Sequence, residues 1–279
     1  MEIRRSEKAG IHITSIKGQD LPIEAEKNVA GVAGLAILKA HNAQLGFEIR
    51  IEKNIKPGSG IGSSAASAAG TVAGINYLLG NPFTNKELIP FAMEGERLAC
   101  GSAHADNVAP ALLGGFTLVR DTNPLDICAL PTPLELVATV IHPKIEVKTA
   151  DARAVLKKRV TLEKAISQWG NVGALVSSLY EEDYDLLSRS LIDGIVEPTR
   201  AILIPHFSEL KAACKEAGAL GSGISGSGPS VFALSRGMPA ANTVAQAMQS
   251  VLEETNIPFD IHVSPVKKTG VSFIEDLLT

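Results

Sequence analysis

Hydrophobic and polar residues alternate along two short segments in the first half of the chain, in the manner of half-buried strands. These segments are GFEIRIE, residues 46–52, and GGFTLVR, residues 114–120. The sequence between them predicts two helices. The first follows a glycine-rich segment and ends at Gly80-Asn81-Pro82, and the second opens with the capping-box pattern Thr84-Asn-Lys-Glu87. Pro90 predicts a kink or a restart in this second helix.

The second half of the chain predicts a further set of strands and helices. The predicted strands are residues 135–143, 231–235 and 259–266, and the predicted helices are residues 149–158, 160–179, 183–196 and 243–254. Thr149 is the expected cap of the first of these helices. The proline-containing segment ALPTP, residues 129–133, separates the two sets of predicted elements and is the best candidate for a domain boundary. We therefore predict an α+β fold with two domains, residues 1–130 and 131–279, each with its own sheet.

Composition and charge limit the classes of partner. The chain has 279 residues, 45% of them hydrophobic, and can bury a sizeable core. It has no apolar run near the roughly 18 residues of a membrane span and no signal-like start, so we expect a cytoplasmic protein without a membrane partner. The net charge is -4, and Lys and Arg do not cluster with aromatic residues, which argues against nucleic acid. Three distant cysteines without a CxxC pair suggest neither a disulfide framework nor a zinc site.

The segment KPGSGIGSSAASAAG, residues 56–70, contains four glycines and four serines between a predicted strand and a predicted helix. Such a loop presents backbone N–H groups at a helix N-terminus, where glycines let a phosphate come close. The alternative is a helix start that needs glycine for packing alone. The loop is not a Walker A loop, because Gly62 is followed by Ser63 where that motif requires lysine.

Two stretches match the dinucleotide fingerprint, but their contexts do not support it. Residues 60–65 match G-x-G-x-x-A without an acidic residue at the end of a second strand about 20 residues later. Residues 221–226 match G-x-G-x-x-G but lead into a predicted strand instead of a helix. An oxidoreductase that binds a dinucleotide is therefore the least favoured of the alternative functions, behind the two named below.

Residues 57–65, PGSGIGSSA, resemble the P-x-x-x-G-L-G-S-S-A loop of the GHMP kinases, with Ile61 where the motif has leucine. This superfamily includes galactokinase, homoserine kinase, mevalonate kinase and phosphomevalonate kinase. Residues 223–229, GISGSGP, are similar to its C-terminal glycine motif, which in the family folds back beside the phosphate loop. The order and separation of the two motifs match those of the superfamily.

Within the superfamily, GSAHADNVAPALLGG, residues 101–115, is similar to the S-x-H-x-D-N-V-A-P segment of homoserine kinases. Residues 149–156 and 196–205 also resemble that family, so the similarity covers essentially the whole chain. The resemblance implies an N-terminal domain of the ribosomal-S5-domain-2-like type and a ferredoxin-like C-terminal domain. It implies that ATP and L-homoserine give ADP and O-phospho-L-homoserine, in threonine biosynthesis. Because family members are commonly dimers, a homodimer is among the expected partners.

The resemblance also implies roles for individual residues. The implied nucleotide-binding residues are Asn28, Lys56, Pro57, Gly58, Ser59, Gly60, Ile61, Gly62, Ser63, Ser64 and Gly226. Ser64 and Glu96 are the implied ligands of Mg²⁺, which prefers oxygen ligands. The implied substrate-binding residues are His104, Asp106, Arg153 and Arg200, the two arginines serving the amino-acid carboxylate. Without the resemblance, the simpler interpretation of Glu96 is a buried carboxylate paired with Arg97 or another base. The simpler interpretation of the two arginines is that they form surface ion pairs.

Asn107 is the residue that the resemblance places beside the reacting hydroxyl, where several GHMP kinases carry an aspartate base. We hypothesise that no strong general base acts here and that metal and phosphate assist proton loss from the hydroxyl. Asp106 is the alternative base.

The chain departs from the family pattern at its N-terminus. The family begins with a strand carrying a P-A-S-x-A-N-L-G-x-G-F-D type motif, whereas MEIRRSEKAG looks like the family's second strand. By this comparison about 30 residues of the family pattern, the length of a strand plus a turn, are missing. We therefore expect an exposed edge on the N-terminal sheet and either weakened binding or an inactive product. The remaining alternatives are another GHMP small-molecule kinase and a non-catalytic ATP-binding sensor on the same fold.

Overall fold

The structure, a computed structural model, describes residues 1–42, 44–101, 103–145, 147, 152 and 155–274. Backbone contacts group the chain into two compact units. The first unit comprises residues 1–57, 62–129 and 267–279, and the second comprises residues 58–61 and 130–266. The predicted domains are contiguous in sequence, whereas each of these units also takes a short segment from elsewhere in the chain.

The first unit contains a three-stranded sheet in the order β1-β3-β2. Its strands are β1 (Glu2–Ser6), β2 (Gly10–Lys17) and β3 (Gly46–Glu52), with β1 antiparallel and β2 parallel to β3. In β3, Phe47, Ile49 and Ile51 are buried while the residues between them are exposed. The alternation therefore predicted both this strand and the face that it buries.

In the described part of the first unit, four α-helices and a β-hairpin accompany this sheet. The helices are α1 (Val29–His41), α2 (Ser63–Leu78), α3 (Asn85–Cys100) and α4 (Val108–Leu113), and the hairpin is β4 (Phe116–Thr122) with β5 (Leu125–Leu130). The predicted capping box is confirmed, since Thr84 and Glu87 each accept a backbone N–H of the other. Helix α3 continues through Pro90, so the predicted restart does not occur. Short α4 is a third helix where two were predicted.

Helices α1, α2 and α3 pack closely because small residues line their contacts. A methyl group on Gly95 of α3 would lie 2.7 Å from the carbonyl oxygen of Val29 and 3.2 Å from the Cβ of Ala68 in α2. Ala65 and Ala69 are also buried on α2. This approach sets the distance between the first turns of α2 and the last turns of α3, where the next residue after Gly95 is Glu96.

The second unit has the βαββαβ order of a ferredoxin-like fold, as the resemblance implied. Its antiparallel sheet has the order β7-β8-β6-β9, with strands β6 (Leu136–Pro143), β7 (Gly221–Ile224), β8 (Val231–Arg236) and β9 (Phe259–Pro265). Its helices are α5 (Leu162–Glu181), α6 (Tyr184–Ser190), α7 (Glu197–Arg200), α8 (Phe207–Glu216) and α9 (Met238–Glu253). Ile141, Leu210, Val231 and Met248 are fully buried in its core.

The helix predicted over residues 183–196 is too long. It ends at Ser190, and the side chain of Asp193 accepts the backbone N–H groups of Ile195, Val196 and Glu197. These side-chain hydrogen bonds stabilise a local turn in place of the helical conformation at residues 193–197. Most of the helix predicted over residues 149–158, including its cap Thr149, lies outside the described residues. Across the described part of the chain, no helix has the length and apolarity needed to cross a bilayer.

Candidate active site

The glycine-rich loop leads into α2 through residues with left-handed backbone. Gly58, Gly60 and Gly62 have φ values of 76°, 81° and 72°. Gly62 is the N-cap of α2, and no described side chain caps the helix there. The first N–H groups of α2 are therefore available to an anion, and the helix dipole favours negative charge at the same place.

Within the second unit, the two glycine motifs are in direct contact. The hydroxyl of Ser230 donates to the carbonyl oxygen of Ser59 at 2.6 Å, and the hydroxyl of Ser225 donates to that of Gly60 at 2.8 Å. A methyl group on Gly60 would lie 2.5 Å from the carbonyl oxygen of Ser225 and 2.7 Å from that of Gly228. Only glycine fits there, and the expectation that the second motif folds back beside the loop is confirmed.

Glu96 is a buried carboxylate beside the first turn of α2. Its residue is 4% exposed, and the hydroxyl of Ser64 hydrogen-bonds to its side chain. Burial raises the pKa of Glu96, the Ser64 hydrogen bond opposes this, and the charge of Asp106 raises the pKa further. The charges of His104 and Lys53 act in the opposite direction. Among the described residues, Oε1 of Glu96 has no hydrogen-bond partner.

Arg97, the first partner considered for Glu96 in the simpler interpretation, does not pair with it. Arg97 instead donates to Glu94 at 3.0 Å, and both of these side chains are solvent-exposed. A carboxylate that is buried and only partly satisfied is costly unless a further cationic or donor group completes it. Glu96 therefore has the properties of a ligand for a bound cation.

Lys53 is a site residue that the sequence analysis missed. It is 8% exposed, and its Nζ donates to the carbonyl oxygen of Ser63 at 2.8 Å and to the hydroxyl of Ser67 at 2.7 Å. Burial lowers the pKa of Lys53, and the charge of Glu96 partly offsets that effect. Lys56, the lysine that the resemblance indicated, is exposed. The missed signal is the period of two that continues from Ile51 past the end of β3 to Lys53.

The segment before α4 brings three predicted residues near these groups. His104 and Asp106 are exposed, and both act electrostatically on Glu96. Asn107 is half-buried, and its Oδ1 lies 3.7 Å from the place that a methyl group on Gly62 would occupy. The first unit thus gathers the end of the loop, the buried carboxylate and the polar residues of the H-x-D-N segment.

Two predicted residues have local partners. The side chain of Asn28 caps α1, accepting the N–H of Ala30 at 2.9 Å and donating to the carbonyl oxygen of Pro22 at 2.7 Å. Its proposed place near the nucleotide stays a prediction. In the second unit, Arg200 donates to the carbonyl oxygens of Ala152 and Gly226, each at 3.1 Å. These contacts fix the position of its guanidinium, whereas Arg153 lies outside the described residues.

Comparison with known proteins gives the class of the chain. The family model of the GHMP kinases N terminal domain matches residues 27–115, and that of the GHMP kinases C terminal domain matches residues 163–254. The chain is therefore a GHMP kinase, an ATP-dependent small-molecule kinase with an α+β fold.

Similarity over nearly the full length narrows this class to one family. The chain is 46% identical to the homoserine kinase of Chlorobium phaeobacteroides (98% of this chain, 88% of that protein) and 49% identical to that of Chloroherpeton thalassium (91% and 82%). The crystal structure of homoserine kinase from Cytophaga hutchinsonii is 52% identical, with a TM-score of 0.92 over 96% of this chain and 86% of that one. The chain belongs to the homoserine kinase family, as its motifs predicted.

The contact between the glycine motifs yields a prediction with a matched control. Both Gly58→Ala and Gly60→Ala place a side chain at positive φ, which costs about 1–2 kcal/mol of unfolding free energy. The Gly60 variant must also displace two carbonyl oxygens, whereas no atom lies within 4 Å of the new methyl group at Gly58. We expect Gly60→Ala to lose clearly more unfolding free energy and more ATP affinity than Gly58→Ala. Chemical denaturation and calorimetric titration measure both, and equal losses would contradict the contact.

Proposed function

We propose that the chain transfers the γ-phosphoryl group of ATP to the hydroxyl of L-homoserine, giving ADP and O-phospho-L-homoserine. The observation that carries this proposal is the buried carboxylate of Glu96 beside the uncapped N-terminus of α2. Phosphoryl transfer depends mainly on positioning and on neutralising phosphate charge, and this pair of features supplies both. Membership of the homoserine kinase family supports the choice of acceptor.

For the nucleotide, we assign the phosphates to the loop of residues 58–64 and to the free N–H groups at the start of α2. Lys53 holds the first turn of this helix by its bonds to Ser63 and Ser67. It also places a positive charge near Glu96 without forming a direct ion pair with it in the described structure. Lys53 is therefore a positioning residue in this proposal.

For a metal ion, we assign Ser64 and Glu96 to Mg²⁺. The fit rests on hard oxygen donors and on the Oε1 atom of Glu96, which is buried and lacks a hydrogen-bond partner among the described residues. When bound, Mg²⁺ neutralises negative charge on the phosphates. Glu96 must be ionised to serve as a ligand, and the Ser64 hydroxyl and the positive charge of Lys53 favour that form.

For the acceptor, we assign His104 and Asp106 to L-homoserine and Arg200, with Arg153, to its carboxylate. A planar guanidinium binds a carboxylate through two parallel hydrogen bonds, and Arg200 is held in place by two backbone carbonyl groups. Asn107 orients the hydroxyl beside the end of the loop, and no strong general base takes part. A cytoplasmic location accords with the free thiols of Cys128 and Cys214.

The proposed reaction predicts a choice of acceptor. With Mg²⁺ and ATP, we expect ADP release that depends on L-homoserine and is absent with mevalonate or galactose. A coupled assay of ADP release measures this directly, with ATP binding followed in parallel. Tight ATP binding without turnover on any acceptor would favour the sensor interpretation over the kinase.

The proposed metal ligand predicts opposite effects on activity and stability. Because the pKa of Glu96 is raised, ionised Glu96 destabilises the metal-free fold progressively as the pH rises through that pKa. Glu96→Gln removes this charge, so we expect a large loss of turnover and of Mg²⁺ dependence, with no loss of unfolding free energy near neutral pH. Its stability relative to wild type should improve from acid to neutral pH.

The control for this variant is Glu94→Gln on the same helix, which removes only the exposed pair with Arg97. We expect it to retain turnover and stability. If Glu96→Gln turns over ATP normally, or if both variants lose the same activity, Glu96 is not the metal ligand.

If no strong general base takes part, substitutions of Asp106 and Asn107 should affect different kinetic constants. A general base contributes about 10²–10⁴-fold to the rate, so Asp106→Asn should lower kcat by less than this and act mainly on the KM for L-homoserine. Asn107→Ala should instead lower kcat. Steady-state kinetics of both variants at several pH values test this, and a collapse of kcat confined to Asp106→Asn would identify Asp106 as the base.

A further inference from the structure

His142 is a buried titratable residue of the second unit that the proposed reaction does not use. It lies on β6, is 5% exposed, and has its Nδ1 atom 3.1 Å from the hydroxyl oxygen of Ser230, which is fully buried. The same hydroxyl lies 2.6 Å from the carbonyl oxygen of Ser59 in the glycine-rich loop. A line of three polar groups therefore connects the sheet of the second unit to that loop.

The protons available to these three groups fix the direction of their hydrogen bonds. A carbonyl oxygen can only accept, so the single hydroxyl proton of Ser230 must point at Ser59. The hydroxyl then offers only lone pairs to His142, and Nδ1 must carry a proton to donate to them. If Nδ1 were bare, the imidazole would compete with the Ser59 carbonyl group for the one hydroxyl proton.

The carbonyl group of Ser59 determines where the next N–H group of the loop points. In a planar trans peptide, the C=O and N–H bonds point in opposite directions. Because Ser230 holds the Ser59 carbonyl oxygen, the N–H of Gly60 turns away from the second glycine motif. Within the described residues, no backbone carbonyl group accepts that N–H, so it is available to a phosphate.

We propose that His142 carries a proton on Nδ1 and is a positioning residue for ATP binding. It orients the hydroxyl of Ser230, and this hydroxyl holds the carbonyl group of Ser59. The Gly60 N–H is thereby aimed at a phosphate, so the inference rests on the proposed assignment of the phosphates to residues 58–64. Since the imidazole acts through Ser230, its effect on ATP binding should disappear when that hydroxyl is removed.

The first test determines the state of the His142 ring and does not depend on the proposed reaction. Nitrogen NMR of the full chain without nucleotide distinguishes a protonated ring nitrogen from a bare one. The signals of His142 are those that disappear in His142→Asn. We expect a proton on Nδ1 at neutral pH, and a bare Nδ1 overturns the proposal whatever the activity of the chain.

The second test measures ATP binding and turnover in two variants and their combination. His142→Leu and Ser230→Ala should each raise the Kd and the KM for ATP about 3- to 10-fold, the worth of one hydrogen bond, with a smaller effect on kcat. The combined variant should match Ser230→Ala alone. His142→Asn can place an amide N–H at the position of Nδ1 and should retain the affinity of the wild type for ATP.

Thr139→Val is the matched control on the same strand. Thr139 is fully buried and donates to the carbonyl oxygen of Ala241 in α9 at 3.2 Å, so this variant also removes a buried side-chain hydrogen bond from β6. We expect it to lose unfolding free energy, measured by chemical denaturation, while the KM for ATP stays unchanged.

Three kinetic outcomes would overturn the role of His142. They are effects of His142→Leu and Ser230→Ala that add in the combined variant, a His142→Asn variant as weak as His142→Leu, and an equal rise in the KM for ATP in Thr139→Val. Calorimetric titration of ATP needs no turnover. A chain that binds ATP but transfers no phosphoryl group would therefore refute the proposed function and still test this inference, whereas a wild type that binds no ATP overturns both.

Discussion

The close packing of α2 against α3 is the constraint on which the first unit's site depends. It is possible only because Gly95 has no side chain where α3 passes Val29 and Ala68. The same approach places the next residue, Glu96, against the first turn of α2, where water is largely excluded. The packing therefore buries a carboxylate beside a helix N-terminus that has no side-chain cap, because its N-cap residue is Gly62. Both groups lack part of the polar partners that burial calls for.

The incomplete electrostatics explain why Lys53 is buried too. Its charge lies close enough to Glu96 to lower the cost of the ionised carboxylate, but its hydrogen bonds go to the α2 backbone and to Ser67. A direct ion pair would satisfy the carboxylate and remove it from further binding. With the lysine engaged elsewhere, Oε1 of Glu96 stays without a hydrogen-bond partner among the described residues, as its proposed role as a metal ligand requires.

Local patterns in the sequence predicted the features that local physics determines. The alternation in β3, the capping box at Thr84 and the turn-forming loop before α2 all depend on neighbours a few residues away, and all three are present. The end of α6 was missed because the turn built by Asp193 competes with a helical pattern that periodicity alone cannot reject. The buried partners of Lys53, Ser63 and Ser67, belong to α2, so the position of the lysine depends on tertiary packing that the apolar alternation of β3 does not reveal.

The roles of the site residues came from resemblance, and the geometry supports them unequally. Glu96 has the burial and the unsatisfied oxygen of a ligand, whereas Lys56 is solvent-exposed and Asn28 already uses both polar atoms in local bonds. Glycine illustrates the same inequality. At Gly60 the backbone turns left-handed against two carbonyl groups, so the chain itself explains the residue. At Gly58 the backbone is left-handed too, but no described atom lies within 4 Å of a side-chain methyl group there, so the turn alone favours glycine. A glycine pattern acquires meaning only when the space around each residue is known.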